Sequence, residues 1–250
     1  MVAARAAAIL PFTIVQTQYV GLTMSQITAA GFAADFIAPT GNMPGTQNDN
    51  AFLWVGVSDP PTQVPWQQAP AAQATLNDGQ QAALILPSSG TFPARAYVFA
   101  YSVGPAVTSS NVTTYPNVCA TALIPSSWDL AKVTYTNPSI GVVGLTTDIG
   151  TFSFSLPQGA VPSTNGAWIG IWRNVQPLYQ PTGSPVAFAA VNQTDSQGNQ
   201  PMYLNGLSPD TNYTAGLFTS GYARSAGNLV TSTLCATVSF QTGTPTAPEK

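Results

Sequence analysis

Residues 204–213 read LNGLSPDTNY, and this stretch gives the strongest indication of how the chain folds. A Ser-Pro-Asp turn separates two leucines from Tyr213, which begins an alternating segment of the kind that forms a β-strand. Part of this arrangement occurs 116 residues earlier, where Pro93 and Tyr97 stand in the places of Pro209 and Tyr213, although that stretch reads TFPARAY at 91–97 and lacks the leucines. The chain therefore contains the same turn and strand start twice.

The repetition continues across most of the chain. Residues 118–121, VCAT, return as residues 234–237, LCAT, at the same spacing. Further matches, at spacings of 116 or 118 residues, are Pro61 with Pro177, Pro65 with Pro181, Pro39 with Pro157, Gly41 with Gly159, and Pro44 with Pro162. Because proline and glycine mark turns, their coincidence over this length predicts an internal duplication.

Composition and turn spacing predict an all-β fold. Charged residues make up 6% of the chain, and 21 Gly and 22 Pro interrupt it, which suits short strands better than long surface helices. Alternating segments such as FLWVGV at 52–57 and AYVFAYSV at 96–103 lie between turn clusters such as Asn77-Asp-Gly79. We expect two tandem antiparallel β-sandwiches. Their expected boundaries are an N-terminal segment or arm at 1–11, a first sandwich at 12–125, a second at 126–243 and a flexible tail at 244–250.

The LNGLSPDTNY stretch, followed by a strand and closing on VSFQT at 238–242, resembles a fibronectin type III or immunoglobulin-like sandwich. In such domains a tyrosine at the start of strand F bonds back to the backbone of the preceding corner. The resemblance implies that Tyr97 and Tyr213 are structural corner residues, with hydroxyls bonded near residues 91–94 and 207–210. It implies a fold and no particular function, because this fold hosts many functions.

The residue inventory argues against catalysis and cofactors. Histidine is absent and the single glutamate is Glu249, so Ser-His-Asp catalysis and His-ligated zinc are excluded. Most aspartates lie in turn-like contexts, and the oxygen-rich stretches 48–50 and 195–199 lack the spacing of a known calcium loop. We expect no enzyme, no cofactor and no metal site.

The charge pattern argues against nucleic acid and membrane partners. The net charge is −3, and the six Lys and Arg residues form no basic cluster, so nucleic-acid binding has no electrostatic basis. The apolar start of the chain stops at Pro11, and we therefore expect no membrane span. Cys119 and Cys235 occupy equivalent positions, one in each copy, and we expect both to be buried free thiols.

The stretch WIGIWR at 168–173 places Ile169 and Ile171 on one face of a strand and two tryptophans on the other. Aligned with FLWVGV at 52–57, it puts Gly170 opposite Trp54 and Trp172 opposite Gly56, as if tryptophan and glycine had exchanged places. Three interpretations stay open for this face: a local cover over glycine backbone, a contact between domains or subunits, and an aromatic platform for a sugar ring. The candidate contact or ligand surface comprises Phe52, Trp54, Trp66, Trp168, Trp172 and Tyr179.

These features favour a non-catalytic structural, assembly or surface-presenting protein, of the virion surface, decoration or extracellular filament type. Self-association or docking with other structural subunits is the expected mode of action, and the apolar segment 6–20 is a candidate arm or added strand on a neighbour. The expected location is extracellular or on a virion surface. The alternative function is a lectin-like module for neutral glycans, with Trp66, Tyr115, Tyr179 and Tyr222 near loops rich in Asn, Gln and Thr.

Overall fold

A computed structural model describes residues 7–109, 112–204 and 206–246. Strands dominate this part of the chain, and the α-helices in it are single turns, so the predicted all-β class is confirmed. The elements of the first part are β1 (Phe12–Tyr19), β2 (Gly21–Thr28), β3 (Gly31–Ile37), α1 (Pro44–Gln47), β4 (Asn50–Val55), β5 (Ala72–Thr75), β6 (Ala82–Ile85), β7 (Tyr97–Ser102), β8 (Val107–Ser109), β9 (Val112–Thr114) and β10 (Val118–Ile124). Those of the second part are β11 (Thr134–Thr136), β12 (Ser139–Leu145), β13 (Ile149–Ser155), α2 (Pro162–Asn165), β14 (Trp168–Arg173), β15 (Ala187–Ala190), β16 (Gln197–Tyr203), β17 (Asn212–Phe218) and β18 (Leu234–Thr242).

Each half of the chain builds a sandwich of a five-stranded and a three-stranded antiparallel sheet. In the first half the order β11-β10-β7-β4-β5 packs on β2-β3-β6, and in the second β1-β18-β17-β14-β15 packs on β12-β13-β16. Aromatic contacts join the facing sheets: the rings of Phe36 and Tyr101 lie 4.8 Å apart, and those of Phe152 and Phe240 lie 6.4 Å apart. The fold-level resemblance to fibronectin type III and immunoglobulin-like sandwiches is confirmed.

One matched pair of prolines, Pro44 and Pro162, occupies equivalent places in the two halves. Pro44 and Pro162 each begin a one-turn helix, where the fixed φ of proline suits the first helical position. Each helix ends on a left-handed residue, Asn48 with φ of 60° and Gly166 with φ of 71°. The short helices connect corresponding strands, β3 to β4 and β13 to β14.

The two halves exchange one strand with each other. β11, which directly precedes the first strand of the second sandwich, pairs with β10 of the first. β1, which directly precedes the first strand of the first sandwich, pairs with β18 of the second along the register from Phe12 opposite Thr242 to Tyr19 opposite Ala236. The division near residue 125 remains a prediction, and residues 12–19 are a strand of the second sandwich, not of the first.

The ends of the described chain are bonded to each other. Ile9 and Thr246 exchange two backbone hydrogen bonds, of 3.1 and 2.9 Å, and Gly243 donates to the carbonyl of Pro11. The described part of the predicted flexible tail, residues 244–246, is therefore held in place at Thr246, and residues 247–250 lie outside the described residues.

One apolar core runs through both halves. It contains Leu53 and Phe99 from the first sandwich together with Ile169 and Phe240 from the second, all fully buried. Leu10, just before β1, is also part of this core and is 1% exposed. Burial of apolar side chains is the main favourable contribution to folding, so the two sandwiches depend on each other for stability.

Candidate functional site

The two predicted corner tyrosines make the expected contacts. The Tyr97 hydroxyl donates to the carbonyl oxygen of Pro93 at 3.0 Å. The Tyr213 hydroxyl accepts from the backbone N–H of Ser208 at 2.8 Å. Both rings are buried, so each tyrosine ties the corner before strand β7 or β17 to the core.

The strand register corrects the sequence alignment of the tryptophans. Val55 lies opposite Tyr97 and Arg173 lies opposite Tyr213, so β4 and β14 correspond at a spacing of 118 residues. At that spacing Trp54 is equivalent to Trp172, and the apparent exchange of tryptophan with glycine is wrong. The first copy is two residues longer in the loop after β4, where the spacing of the matched prolines falls to 116.

In the second half, tryptophans cover bare glycine backbone. Trp168 and Trp172 lie over Gly170, where an added Cβ would meet both indole rings at 2.7 and 2.8 Å. Trp168 also stacks on Phe218, with ring centroids 3.9 Å apart and planes 8° from parallel. Leu178, Tyr179 and Leu234 complete this outer cluster. The local-cover interpretation describes these residues.

In the first half the equivalent outer cluster is built differently. Phe52 stands where the second half has Gly170, and its ring packs against Trp54 at 5.3 Å and Tyr115 at 5.2 Å. The Trp54 indole N–H donates to the carbonyl of Gln68 at 2.9 Å, so the loop after β4 closes over the ring. The Phe52 ring in the first half thus fills the space that Trp168 and Trp172 fill over Gly170 in the second half.

The residues predicted to form a contact or ligand surface are therefore mostly interior. Phe52, Trp54, Trp168, Trp172 and Tyr179 are at most 4% exposed. Trp66 is partly buried and donates its indole N–H to the carbonyl of Gln158 at 3.0 Å, which links the two halves. Loops and neighbouring side chains cover the rings at these five positions, so of the three interpretations the burial there favours the local cover over a contact surface or a sugar platform.

The acid of the oxygen-rich stretch 48–50, Asp49, lies buried inside the first half. Asp49 is fully buried between α1 and β4, and its carboxylate accepts a 2.5 Å hydrogen bond from the Tyr101 hydroxyl, which in turn accepts from the Asn42 amide at 3.0 Å. Burial raises the pKa of Asp49 from 3.8 to about 7. One oxygen each of Asp49 and Asn42 has no hydrogen-bond partner among the described residues. The equivalent position in the second half is the apolar Ala167, so no repeat pattern marked Asp49.

The chemistry of this site is limited by access. A general acid or base must reach the proton that it transfers, and Asp49 has no exposed surface. No group of three or more Cys, Asp, Glu or His side chains suited to a metal ion occurs among the described residues. Cys119 and Cys235 are buried and free, as expected, and burial raises the pKa of both thiols.

The polar surface contains one large cleft beside the junction of the halves. Its volume is about 740 Å³, and amides, hydroxyls and one carboxylate line it. Contributing side chains include Gln63 from the first half and Gln158, Asp195 and Gln197 from the second. This is the kind of lining that hydrogen-bonds neutral polar ligands.

Apolar side chains stay exposed on the outer faces of both three-stranded sheets. Ile149 and Tyr203 are direct neighbours across β13 and β16, and they are 43% and 84% exposed. On the first half Leu84 and Leu86 are more than half exposed and lie beside each other over Gly31. No helix among the described residues is long and apolar enough to cross a membrane.

Comparison with known proteins adds little beyond the fold. No family model and no curated protein matches the chain. It is similar to a solved structure titled "Biofilm associated protein - BSP domain", with a TM-score of 0.23 and 12% identity over 78% of this chain and 26% of that chain. It is also similar to the "Central Fibronectin-III array of RIM-binding protein", with a TM-score of 0.27 and 16% identity over 80% of this chain and 57% of that chain. The chain thus spans about a quarter of one structure and somewhat over half of the other.

Proposed function

We propose that this chain is a non-catalytic structural or surface-presenting protein that acts by contact with other subunits, in an extracellular or virion-surface setting. The observation that carries the proposal is the pair of uncovered outer faces on the three-stranded sheets. Strands β12, β13 and β16 contain no charged residue, and Tyr203 stands on their outer face almost fully exposed.

Low charge supports this assignment physically. Burying an unpaired charge at an interface is costly, whereas apolar and neutral polar surface can be covered by a partner with little penalty. Aromatic side chains such as Tyr203 are the type that contributes most to interfaces when a partner covers them. The exposed Ile149 beside it extends the apolar area.

Analytical ultracentrifugation over a concentration series tests the proposal. We expect reversible self-association, and Tyr203→Ser should weaken it by roughly thirtyfold if the ring contributes about 2 kcal/mol. Thermal stability should stay unchanged because the side chain is exposed. A strictly monomeric wild type at every concentration, or unchanged association of the variant, would contradict the proposed contact surface.

A second candidate function is binding of neutral glycans in the polar cleft at the junction of the halves. The amides of Gln63, Gln158 and Gln197 support it, since amide groups both donate to and accept from sugar hydroxyls. A glycan array with wild type and Gln197→Ala separates the two functions. Retention of a neutral glycan by the wild type and its loss in the variant would favour the lectin function over assembly.

A further inference from the structure

The exchanged N-terminal segment, residues 8–19, is held on the second sandwich along its whole length, and besides the bonds of Ile9 and Pro11 described above it makes the following contacts. Its backbone pairs with β18 over seven register positions. Ahead of β1, the Leu10 N–H donates to the carbonyl of Leu145 at 3.0 Å, and Thr147 donates to the carbonyl of Ala8 at 3.0 Å. Leu10 is the one residue of the segment that is fully buried. We call residues 8–19 the donor segment.

The rest of the donor segment contributes little to the core. Of the eight residues of β1, six are exposed and the other two, Phe12 and Gln18, are half-buried. Ile14 and Val15 are 44% and 54% exposed. Apart from two hydrogen bonds between the Gln18 side chain and Thr40 of the first half, the strand is held mainly by backbone hydrogen bonds to β18, and any copy of the same segment would reproduce both kinds of contact.

The connection between β1 and β2 is a single residue, Val20, which is fully buried and donates its N–H to the carbonyl of Cys235 at 2.9 Å, so exchange must also open this contact. The chain thus passes directly from the donor segment on the second sandwich into β2 of the first. The partner strand of the donor segment, β18, lies more than 200 residues further along the chain. Such a segment is joined to its acceptor by contacts rather than by a short loop. This is the arrangement in which an identical element can be exchanged between copies at low cost.

β11 pairs with β10 in the reciprocal way. In both halves, therefore, the edge strand of the five-stranded sheet comes from the other half of the chain. Between residues 6 and 34 the sequence has no charged side chain that would oppose pairing with another copy. Charge on an edge strand is one of the usual protections against such pairing, and here it is absent.

We propose that the donor segment is exchangeable, and that a second copy of this chain supplies it to β18 in a reciprocal dimer. Each chain then donates residues 8–19 and accepts the same residues from its partner, with Leu10 of one chain in the core position of the other. All contacts present within one chain are reproduced between two chains. Exchange is therefore governed by protein concentration and by opening of the Val20 connection. The inference names the partner in the proposed assembly function but uses a different surface from the Tyr203 face.

Disulfide trapping between two variants of the full chain, each with one added cysteine besides the buried Cys119 and Cys235, tests the exchange. Gln16 and Ser239 are register partners across β1 and β18. A chain carrying only Gln16→Cys and a chain carrying only Ser239→Cys cannot form this cross-strand disulfide internally. We expect the mixture, warmed at high concentration and then oxidised, to give a heterodimer with a bond between positions 16 and 239 by mass spectrometry.

Two controls make the result decisive. The double variant, with both substitutions in one chain, should close the same disulfide internally when oxidised in dilute solution, which shows that the pair can react. Replacing Gln16→Cys by Thr62→Cys, in an exposed loop, should abolish the mixed disulfide. The proposal is overturned if the double variant closes internally while the two single variants give no 16–239 bond, or if Thr62→Cys reacts equally well.

The internally closed double variant also separates this inference from the proposed function. Once locked, it should lose the dimer that arises by exchange. Association that persists in the locked chain and weakens with Tyr203→Ser would support the sheet-face contact and overturn strand exchange. Loss of association in the locked chain, with no response to Tyr203→Ser, would support exchange and contradict the sheet-face contact.

Discussion

Replacing Asp49 by Asn should remove a pH dependence of stability that this one side chain imposes. The folded pKa of Asp49 is raised from 3.8 to about 7 by burial, so the folded state holds the proton more tightly than the unfolded state does. The Asp49 carboxyl group therefore makes its whole contribution to the free energy of unfolding below pH 3.8. This contribution is lost as the pH rises to about 7. Above that pH the loss reaches a plateau.

The magnitude follows from the difference between the two pKa values. A change from 3.8 to about 7 corresponds to at most about 4 kcal/mol between acidic and mildly alkaline solution. Asn at position 49 keeps an oxygen for the Tyr101 hydroxyl and carries no charge. We expect Asp49→Asn to match the wild type near pH 4 and to exceed it at pH 8, measured as free energy of unfolding in urea across this range.

An opposite control is available in the same chain. The backbone N–H and hydroxyl of Thr46 donate to Asp78 and lower its pKa, so Asp78→Asn should lose stability relative to the wild type as the pH rises. Comparing each variant with the wild type isolates one carboxyl group, because all other groups titrate equally in both. The reasoning would be refuted by an Asp49→Asn variant that is less stable than the wild type at pH 8, or by parallel profiles.

Three further substitutions and one control test the packing. Tyr213→Phe leaves the Ser208 N–H without its acceptor and should lower the free energy of unfolding by about 1–3 kcal/mol in a denaturant titration, with no change in self-association. Trp172→Ala should cost about 3–5 kcal/mol, because it empties a buried site over Gly170; calorimetry should show the loss while ultracentrifugation shows unchanged association. Gly170→Ala should cost about 1–3 kcal/mol through overlap with both indole rings, whereas Gly144→Ala, with no atom within 4 Å of the added carbon, should be neutral in the same melts. An equal loss of stability in the two glycine variants would contradict the interpretation that Trp168 and Trp172 cover the backbone of Gly170.

Much of the fold could be predicted from local chemistry. The Pro-containing corner and its tyrosine predicted a strand start twice, and the contacts of Tyr97 and Tyr213 confirm it. Alternation assigned Ile169 and Ile171 to the core and the tryptophans to the opposite face, as the structure has them. These predictions succeed because backbone conformation and the two-residue period of a strand depend on neighbours in sequence.

The candidate surface could not be predicted in the same way. Alternation says which side chains share a face, but not whether a distant loop covers that face, and covered tryptophans look like exposed ones in a sequence. A two-residue difference in loop length also hid the equivalence of Trp54 and Trp172, which strand register reveals.

By itself, the sequence determined the all-β class, the corner tyrosines, the absence of histidine chemistry and the low charge. Only the tertiary structure decided that β1 completes the second sandwich, that Asp49 is interior and that Ile149 and Tyr203 stay uncovered on a three-stranded sheet. The physical reason is that backbone hydrogen-bonding groups are the same in every residue except proline. The sequence of a strand therefore does not specify which edge it pairs with, and burial depends on what packs there.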